Sequence, residues 1–353
     1  MDDLKAIVGA WEEFFKLRVR RDTDIAEGYV RYVERLLRAD FPPIFEINHL
    51  ASLIGVDAGK LAAYIADSAS FYRSFEIPKR RGGYRVIDVP SPGLLFAQRW
   101  IVKNILSKIG LHDAVHGFAL SRSVVSNAKV HLGQPALLKM DLMGFFPSIG
   151  IRRGLAVFRR IGYPPNVSYF LAALCFKNRY LPQGAATSPV LSNIIAKRLD
   201  ARLAGVAMKE GLNYSRYADD LTFSGQHIDP SIIGMISKVV GDEGFNVNQN
   251  KTQLIGPGSK KIVTGVSISS GKLALPRKSV RAIKQEAHFL LKFGYFSHVN
   301  ATDNRDPILV ERLLGRIGFW LHIDPSNPTA LNYFMLVDEY RKRIDSGLIL
   351  PSD

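Results

Sequence analysis

Tyr217-Ala218-Asp219-Asp220 sets two adjacent carboxylates in a short break between apolar runs, with Arg216 before it and Leu221-Thr222-Phe223-Ser224 after it. Neighbouring carboxylates repel, and each lowers its partner's tendency to ionise. A divalent cation relieves that repulsion. Hard oxygen donors suit Mg2+, which binds few protein carboxylates and keeps positions free for substrate phosphates. A third carboxylate is at hand in Lys139-Met140-Asp141-Leu142, a run otherwise largely apolar. Three such side chains holding two metal ions would activate a 3′-hydroxyl and stabilise a leaving pyrophosphate. Taken alone, Asp219-Asp220 suits a solvated turn equally well, because Asp is common in turns.

Charge narrows the choice of partner. Lys plus Arg is 47 against 32 Asp plus Glu, a formal net charge of +15, which points to a polyanion and first of all to nucleic acid. The excess is concentrated: Lys251–Asn300 carries nine Lys or Arg and one acid, Glu286, whereas 301–353 carries six basic and eight acidic residues. The first segment therefore reads as a contact surface rather than a solvated helix face. Hydrophobic residues make up 47% of the chain, which excludes disorder, collagen and coiled coil. No stretch of 18 apolar residues occurs, so no membrane span and no membrane partner are expected. The opening MDDLKAIVGAWEEFF is acidic at once and is not expected to act as a signal peptide. The single cysteine, Cys175, excludes an internal disulfide or a cysteine metal cluster and fits a reducing, cytoplasmic location. It lies in an apolar run and reads as a buried small hydrophobe.

Further segments fall into an ordered set. Asp141-Leu142-Met143-Gly144-Phe145-Phe146-Pro147-Ser148-Ile149 resembles the first catalytic motif of reverse transcriptases. Leu181-Pro182-Gln183-Gly184-Ala185-Ala186-Thr187-Ser188-Pro189 resembles the motif that positions template and incoming nucleotide. Tyr217–Asp220 resembles the second catalytic motif, and Gly244-Phe245-Asn246-Val247-Asn248 with Lys251-Thr252 the one after it. The run from Ile77-Pro78-Lys79 to Arg85 resembles the fingers hairpin. Order and spacing agree across roughly residues 72–265, so the chain resembles a reverse transcriptase. Asn127-Ala128-Lys129-Val130-His131 and Val263-Thr264-Gly265 match the NAxxH and VTG signatures of the retron group.

The resemblance implies an α+β right-hand polymerase with fingers, a palm holding a small antiparallel sheet, and a helical thumb. It implies that Asp141, Asp219 and Asp220 bind two Mg2+ ions, with Mn2+ as a substitute, and that Phe146 is an aromatic steric gate selecting dNTPs. It assigns Gln183 and Gly184 to the nucleotide, Arg85 and one of Lys79, Arg80 and Arg81 to its triphosphate, and Lys251 to the pyrophosphate as a general acid. Phe146 as a core ring and Lys251 as a surface lysine are the plain alternatives. Asn127, His131, Val263, Thr264 and Gly265 are RNA-binding candidates, with His131 equally suited to a structural contact. Lys272, Arg277, Lys278, Arg281 and Lys284 are the candidate phosphate contacts. The implied partners are a cognate noncoding RNA and its DNA product, dNTPs, a toxic effector protein and a host ribonuclease H. The implied product is branched multicopy single-stranded DNA primed from a guanosine 2′-hydroxyl, within anti-phage defence. Another small bacterial reverse transcriptase, of group II intron or diversity-generating type, and a non-catalytic RNA-binding scaffold are the alternatives.

These residues need elements to hold them. Apolar periodicity predicts helices in Ile25–Leu37 and Ile47–Ile65, a hairpin with a basic glycine-bearing turn ending at Val89, and a helix over Leu94–Ile109. Ala136–Leu142 predicts a strand, and Tyr214–Ser224 two short strands around Ala218-Asp219-Asp220. Ser188-Pro189 reads as the N-cap and first turn of a helix reaching about Leu203. Ile262–Ile268 and Lys272–Leu275 read as strands, and Arg281–Phe293, Pro307–His322 and Ala330–Ile344 as helices. The expected division is an N-terminal helical region at 1–70, fingers with the NAxxH segment at 71–135, palm at 136–262 and basic helical thumb at 263–353.

Overall fold

The structure, a computed structural model, describes residues 2–18, 23–79, 82–302 and 306–346. The chain opens with α1 (Asp2–Arg18), α2 (Thr23–Arg38), α3 (Ile47–Ile54) and α4 (Ala58–Ala66), then the hairpin β1 (Tyr72–Pro78) and β2 (Tyr84–Pro90). There follow α5 (Pro92–Asn104), α6 (Val124–Val130), β3 (Ala136–Asp141), α7 (Ile151–Ile161), α8 (Pro165–Cys175), α9 (Ser188–Ile195) and α10 (Lys197–Lys209). The rest is β4 (Asn213–Tyr217), β5 (Asp220–Gly225), α11 (Ile232–Asp242), β6 (Gln253–Ile255), β7 (Ile262–Val263), β8 (Val266–Ser267), α12 (Arg277–Thr302), α13 (Leu309–Ile323) and α14 (Pro328–Asp345). Helices alternating with short antiparallel sheets make the fold α+β. Among the described residues no helix is long and apolar enough to cross a membrane.

Two compact units divide the chain: Met1–Ala119, Leu142–Leu203 and Met235–Val247 form one, and Leu120–Asp141, Ala204–Gly234 and Asn248–Asp353 the other. In the first, α1 and α2 pack through Phe15, Ala26 and Val33. The predicted run Ile47–Ile65 is two helices. Gly55 takes φ +84° at the end of α3, and Asp57 restarts the chain as the N-cap of α4 by accepting from the Lys60 N–H. The helix predicted to reach Leu203 likewise breaks, after α9 at Ala196. Ser188 is inside its first turn rather than capping it, with its hydroxyl donating to the Pro182 carbonyl at 2.6 Å.

In the second unit the sheet order is β4-β5-β3-β6. β3 is flanked on both sides, and every residue of it except Lys139 is buried, which is why it reads as an almost unbroken apolar run. Val263, Leu290, Leu313, Ile317, Trp320 and Val337 share one apolar core with Ala128 of α6 and Leu137 of β3. The stretch predicted as a strand over Ile262–Ile268 is instead a tight hairpin, β7 against β8, turning on Thr264 (φ +45°) and Gly265 (φ +86°). Positive φ at both central residues is the twist a two-residue hairpin favours. Of Lys272–Leu275, only Ala274 bridges back, to Ser267.

Candidate active site

β3 and β5 run antiparallel in a register that sets Asp141 directly opposite Asp220. Asp141 is the last residue of β3 and Asp220 the first of β5, so both carboxylates come to one end of the sheet. Asp219 lies in the two-residue turn that joins β4 to β5, where Tyr217 pairs with Asp220. The turn is strained: Ala218 takes φ +57°, a left-handed conformation that costs a residue with a Cβ about 1–2 kcal/mol. The fully buried Arg216 helps hold it, donating from Nη1 to the Ala218 carbonyl at 2.9 Å. Arg216, immediately before Tyr217-Ala218-Asp219-Asp220, is the sequence signal for that support.

Lys251 completes this cluster. The Asn248 N–H donates to the Asp141 carbonyl at 2.7 Å, which anchors the turn leading to Lys251. The Lys251 ammonium then donates to both Asp141 oxygens, at 2.9 and 2.8 Å. Its side chain stays 46% exposed while that of Asp141 is 12% exposed, so the lysine reaches in from solvent to a nearly buried carboxylate. Burial first, then the charges of Asp219 and Asp141, push the Asp220 carboxyl up to about 6; Lys139 and Lys251 pull the other way.

Among the described residues no three His, Cys, Asp or Glu side chains are already drawn together as a metal cage. The donors nevertheless fit a hard divalent cation. They are carboxylate oxygens, two of them face each other across neighbouring strands, and their crowding raises the affinity of Asp220 for a proton. Positive charge relieves this crowding, and Lys251 supplies part of it.

The nucleotide-binding candidates lie in the other unit. Phe145 is buried and packs on Phe245, whereas Phe146 is half-buried, its ring 5.5 Å from Phe145 and 6.4 Å from Phe118. The core position thus belongs to Phe145. Gln183 and Gly184 sit against β2. The Gln183 carbonyl accepts from the Asp88 N–H at 2.9 Å, and a Cβ on Gly184 would stand 2.5 Å from the Asp88 carbonyl oxygen. Gly184 also takes φ +134°, so both sterics and conformation require glycine there. Lys79 and Arg85 are exposed on the hairpin, Arg85 paired with Ile77; Arg80 and Arg81 lie outside the described residues. The sequence reading missed Gln98, which is buried and donates from one amide to the Tyr72 hydroxyl and the Leu174 carbonyl while accepting from the Ala186 N–H. It also missed Lys177, paired with Asp88 at 2.6 Å. Cys175 is buried, and burial pushes its thiol up to about 12, as expected of an inert small hydrophobe.

The RNA-binding candidates divide. Lys272, Arg277, Lys278, Arg281 and Lys284 are exposed, as is Gly265. Asn127, His131 and Val263 are fully buried and present no surface to RNA, which corrects that expectation. Their place is structural. The His131 ring lies 2.7 Å from the Ser224 hydroxyl through Nδ1 and 2.7 Å from the Ser215 hydroxyl through Nε2, tying α6 to both strands of the hairpin that carries Asp219 and Asp220. Asn127 donates to the half-buried Thr264 hydroxyl at 3.3 Å, and Thr264 donates on to the Val124 carbonyl at 3.1 Å. The NAxxH and VTG signatures therefore meet, Asn127 to Thr264.

A small antiparallel sheet with opposed carboxylates at one end is the arrangement expected of a polymerase palm. Residues 77–290 match the family described as Reverse transcriptase (RNA-dependent DNA polymerase). The chain belongs to that family, within its retron group. It is 33% identical over 320 residues to the retron Mx162 reverse transcriptase of Myxococcus xanthus, covering 80% of this chain and 64% of that protein. With the retron Ec86 reverse transcriptase of Escherichia coli it shares 35% over 255 residues, covering 70% of this chain and 79% of that protein. The chain thus spans just under two thirds of the first of these relatives. A telomerase from Candida albicans aligns with 76% of this chain and 63% of its own at a TM-score of 0.44 and 10% identity, too slight a likeness to add weight. Members of the family work with divalent metal ions.

Proposed function

We propose that the chain is the RNA-directed DNA polymerase of a retron, copying part of a cognate noncoding RNA into branched multicopy single-stranded DNA. The observation that carries this reading is the facing pair Asp141 and Asp220, with Asp219 in the adjoining turn and Lys251 on Asp141. Asp141, Asp219 and Asp220 would hold Mg2+, which when bound activates the priming hydroxyl and stabilises the leaving pyrophosphate. Lys251, an ammonium already beside these carboxylates, is suited to give a proton to the departing pyrophosphate. The exposed Lys79 and Arg85 grip the triphosphate of the dNTP. Phe146 offers a ring face to the sugar, and a 2′-hydroxyl collides with it. Gln183 and Gly184 present backbone to the nucleotide, held in place by β2.

On this reading residues 71–135 act as fingers, 136–262 as palm and 263–353 as thumb, with the cations of α12 holding RNA phosphates. Priming is from a guanosine 2′-hydroxyl, host ribonuclease H removes template, and the complex restrains a toxic effector in phage defence. The test is the nucleic acid that co-purifies with the protein from cells carrying its neighbouring DNA. Sequencing combined with debranching treatment is expected to find DNA joined 2′,5′ to an RNA. Linear DNA alone, or RNA without any attached DNA, overturns the retron reading.

A further inference from the structure

Phe289 and Phe293 stand where the helix has no structural use for them. The inner stripe of α12, with Val280, Ile283, Ala287, Leu290 and Leu291, already fills the core against α13 and α14 with aliphatic side chains. The two phenylalanines, one turn apart, lie on the outer face at 39% and 47% exposure. Their rings stack, with centroids 5.7 Å apart and planes 28° from parallel. The Lys292 ammonium sits 5.1 Å from the Phe293 centroid, and Gly294, at φ +75°, kinks the helix directly after the pair.

The charge around them selects the occupant. Arg277, Lys278, Arg281 and Lys284 are exposed N-terminal to the rings, and Lys292 lies between them. Glu286, the one acid in this part of the chain, pairs with Arg312 and Arg316 of α13, its side chain 15% exposed. A row of cations beside two exposed rings suits a strand with phosphates along its edge and flat bases to stack. Each base has a π-face, which pairing and stacking inside a stem cover and which an unpaired base leaves open. From Arg277 to Phe289 the helix rises about 18 Å, enough to track several phosphates before reaching the rings.

We propose that Phe289 and Phe293 form a stacking platform for an unpaired RNA base where a helical stem gives way to single strand, with the cations of α12 holding the stem. This rests on the reading of α12 as an RNA-binding face. The test uses the full-length protein and three RNAs: a blunt hairpin, the same hairpin with a short 3′ single-stranded extension containing 2-aminopurine, and that RNA with the extension made abasic. Phe289→Leu with Phe293→Leu keeps apolar bulk and helix propensity while removing the rings. Wild type is expected to prefer the extended hairpin over both others and to quench the 2-aminopurine. The leucine variant is expected to lose that preference by about 5- to 150-fold, the range for stacking one base, with blunt-hairpin affinity and salt slope unchanged. A variant that keeps the preference, or that weakens on all three RNAs alike, overturns the platform. So does a wild type that sediments as a dimer which the leucine variant loses, because the rings then serve contact between two copies. A separate variant, Arg277→Glu with Lys278→Glu and Arg281→Glu, isolates the underlying reading. If it binds the blunt hairpin as wild type does, α12 is not an RNA face at all.

Discussion

At pH 7 the Asp220 carboxyl is held ionised in a site that opposes its charge. Its folded-state pKa of about 6 lies above the ordinary 3.8, so the folded chain binds this proton more tightly than the unfolded chain. Stability therefore falls as pH rises between those two values and stays reduced above the upper one, by about 3 kcal/mol at full strength. Asp220→Asn is expected to raise the stability of the metal-free protein by about 1–3 kcal/mol at pH 7, the gain shrinking toward pH 4. Chemical denaturation in chelator at both pH values measures it, and a loss of stability at pH 7 contradicts the electrostatic account. A change that stabilises while abolishing synthesis is the signature of a strained functional site. Phe146→Ala is expected to admit ribonucleotides while leaving primer extension with dNTPs intact; side-by-side incorporation of the two sugars decides it. That Asp141 and Asp220 would come together was legible from the ordered set of motifs, because Asp219-Asp220 alone suits a solvated turn equally well. Lys251 was legible only as a basic residue of a motif, because its hold on Asp141 spans a sequence separation of 110 residues.

At the scale of elements, α6 is a bracket. Through His131 it meets β4 and β5, and through Asn127 it meets the turn between β7 and β8. That turn holds Thr264 at φ +45°, an outlier for a β-branched residue, and the Thr264 hydroxyl bonds are what fix it there. His131→Ala leaves two buried serine hydroxyls without their imidazole and is expected to cost about 2–4 kcal/mol. Thermal melting is expected to show the loss, and primer extension to fall, while RNA affinity from the exposed α12 cations persists. A variant with wild-type stability removes the bracket. Most elements could be placed from periodicity, as the strand Ala136–Leu142 and the hairpin around Ala218-Asp219 show. Where the prediction failed, local chain-turning residues outweighed the longer pattern: Gly55 ended α3 inside a continuous apolar run, and the β-rich run at Ile262–Ile268 folded back on Thr264-Gly265. The two retron signatures were legible as motifs, but their contact was not. Spacing says nothing about which buried polar groups pair across 137 residues.

Across the whole molecule, the charge imbalance in the sequence becomes a surface. The net charge of +15 has a focus on α12, whose one acid is engaged with arginines of α13. Charge reversal at Arg277, Lys278 and Arg281 together is expected to weaken binding to every RNA and to reduce the slope of log affinity against log salt by about 2–3. Titrations at several salt concentrations read this directly. Specificity for one RNA has a different source, base contacts and RNA shape, so the three reversals are expected to leave the rank order of RNAs unchanged.

Whether the chain polymerises DNA from RNA turns on the carboxylates at the end of β3 and β5. The most direct measurement is dNTP incorporation on a primed RNA template by wild type and by Asp220→Asn, with RNA binding followed in the same samples. The expected result is extension by wild type in the presence of Mg2+, none by the variant, and equal RNA affinity for both, since these carboxylates act on the transition state and add little to phosphate gripping. Incorporation by Asp220→Asn at the wild-type rate would contradict the account.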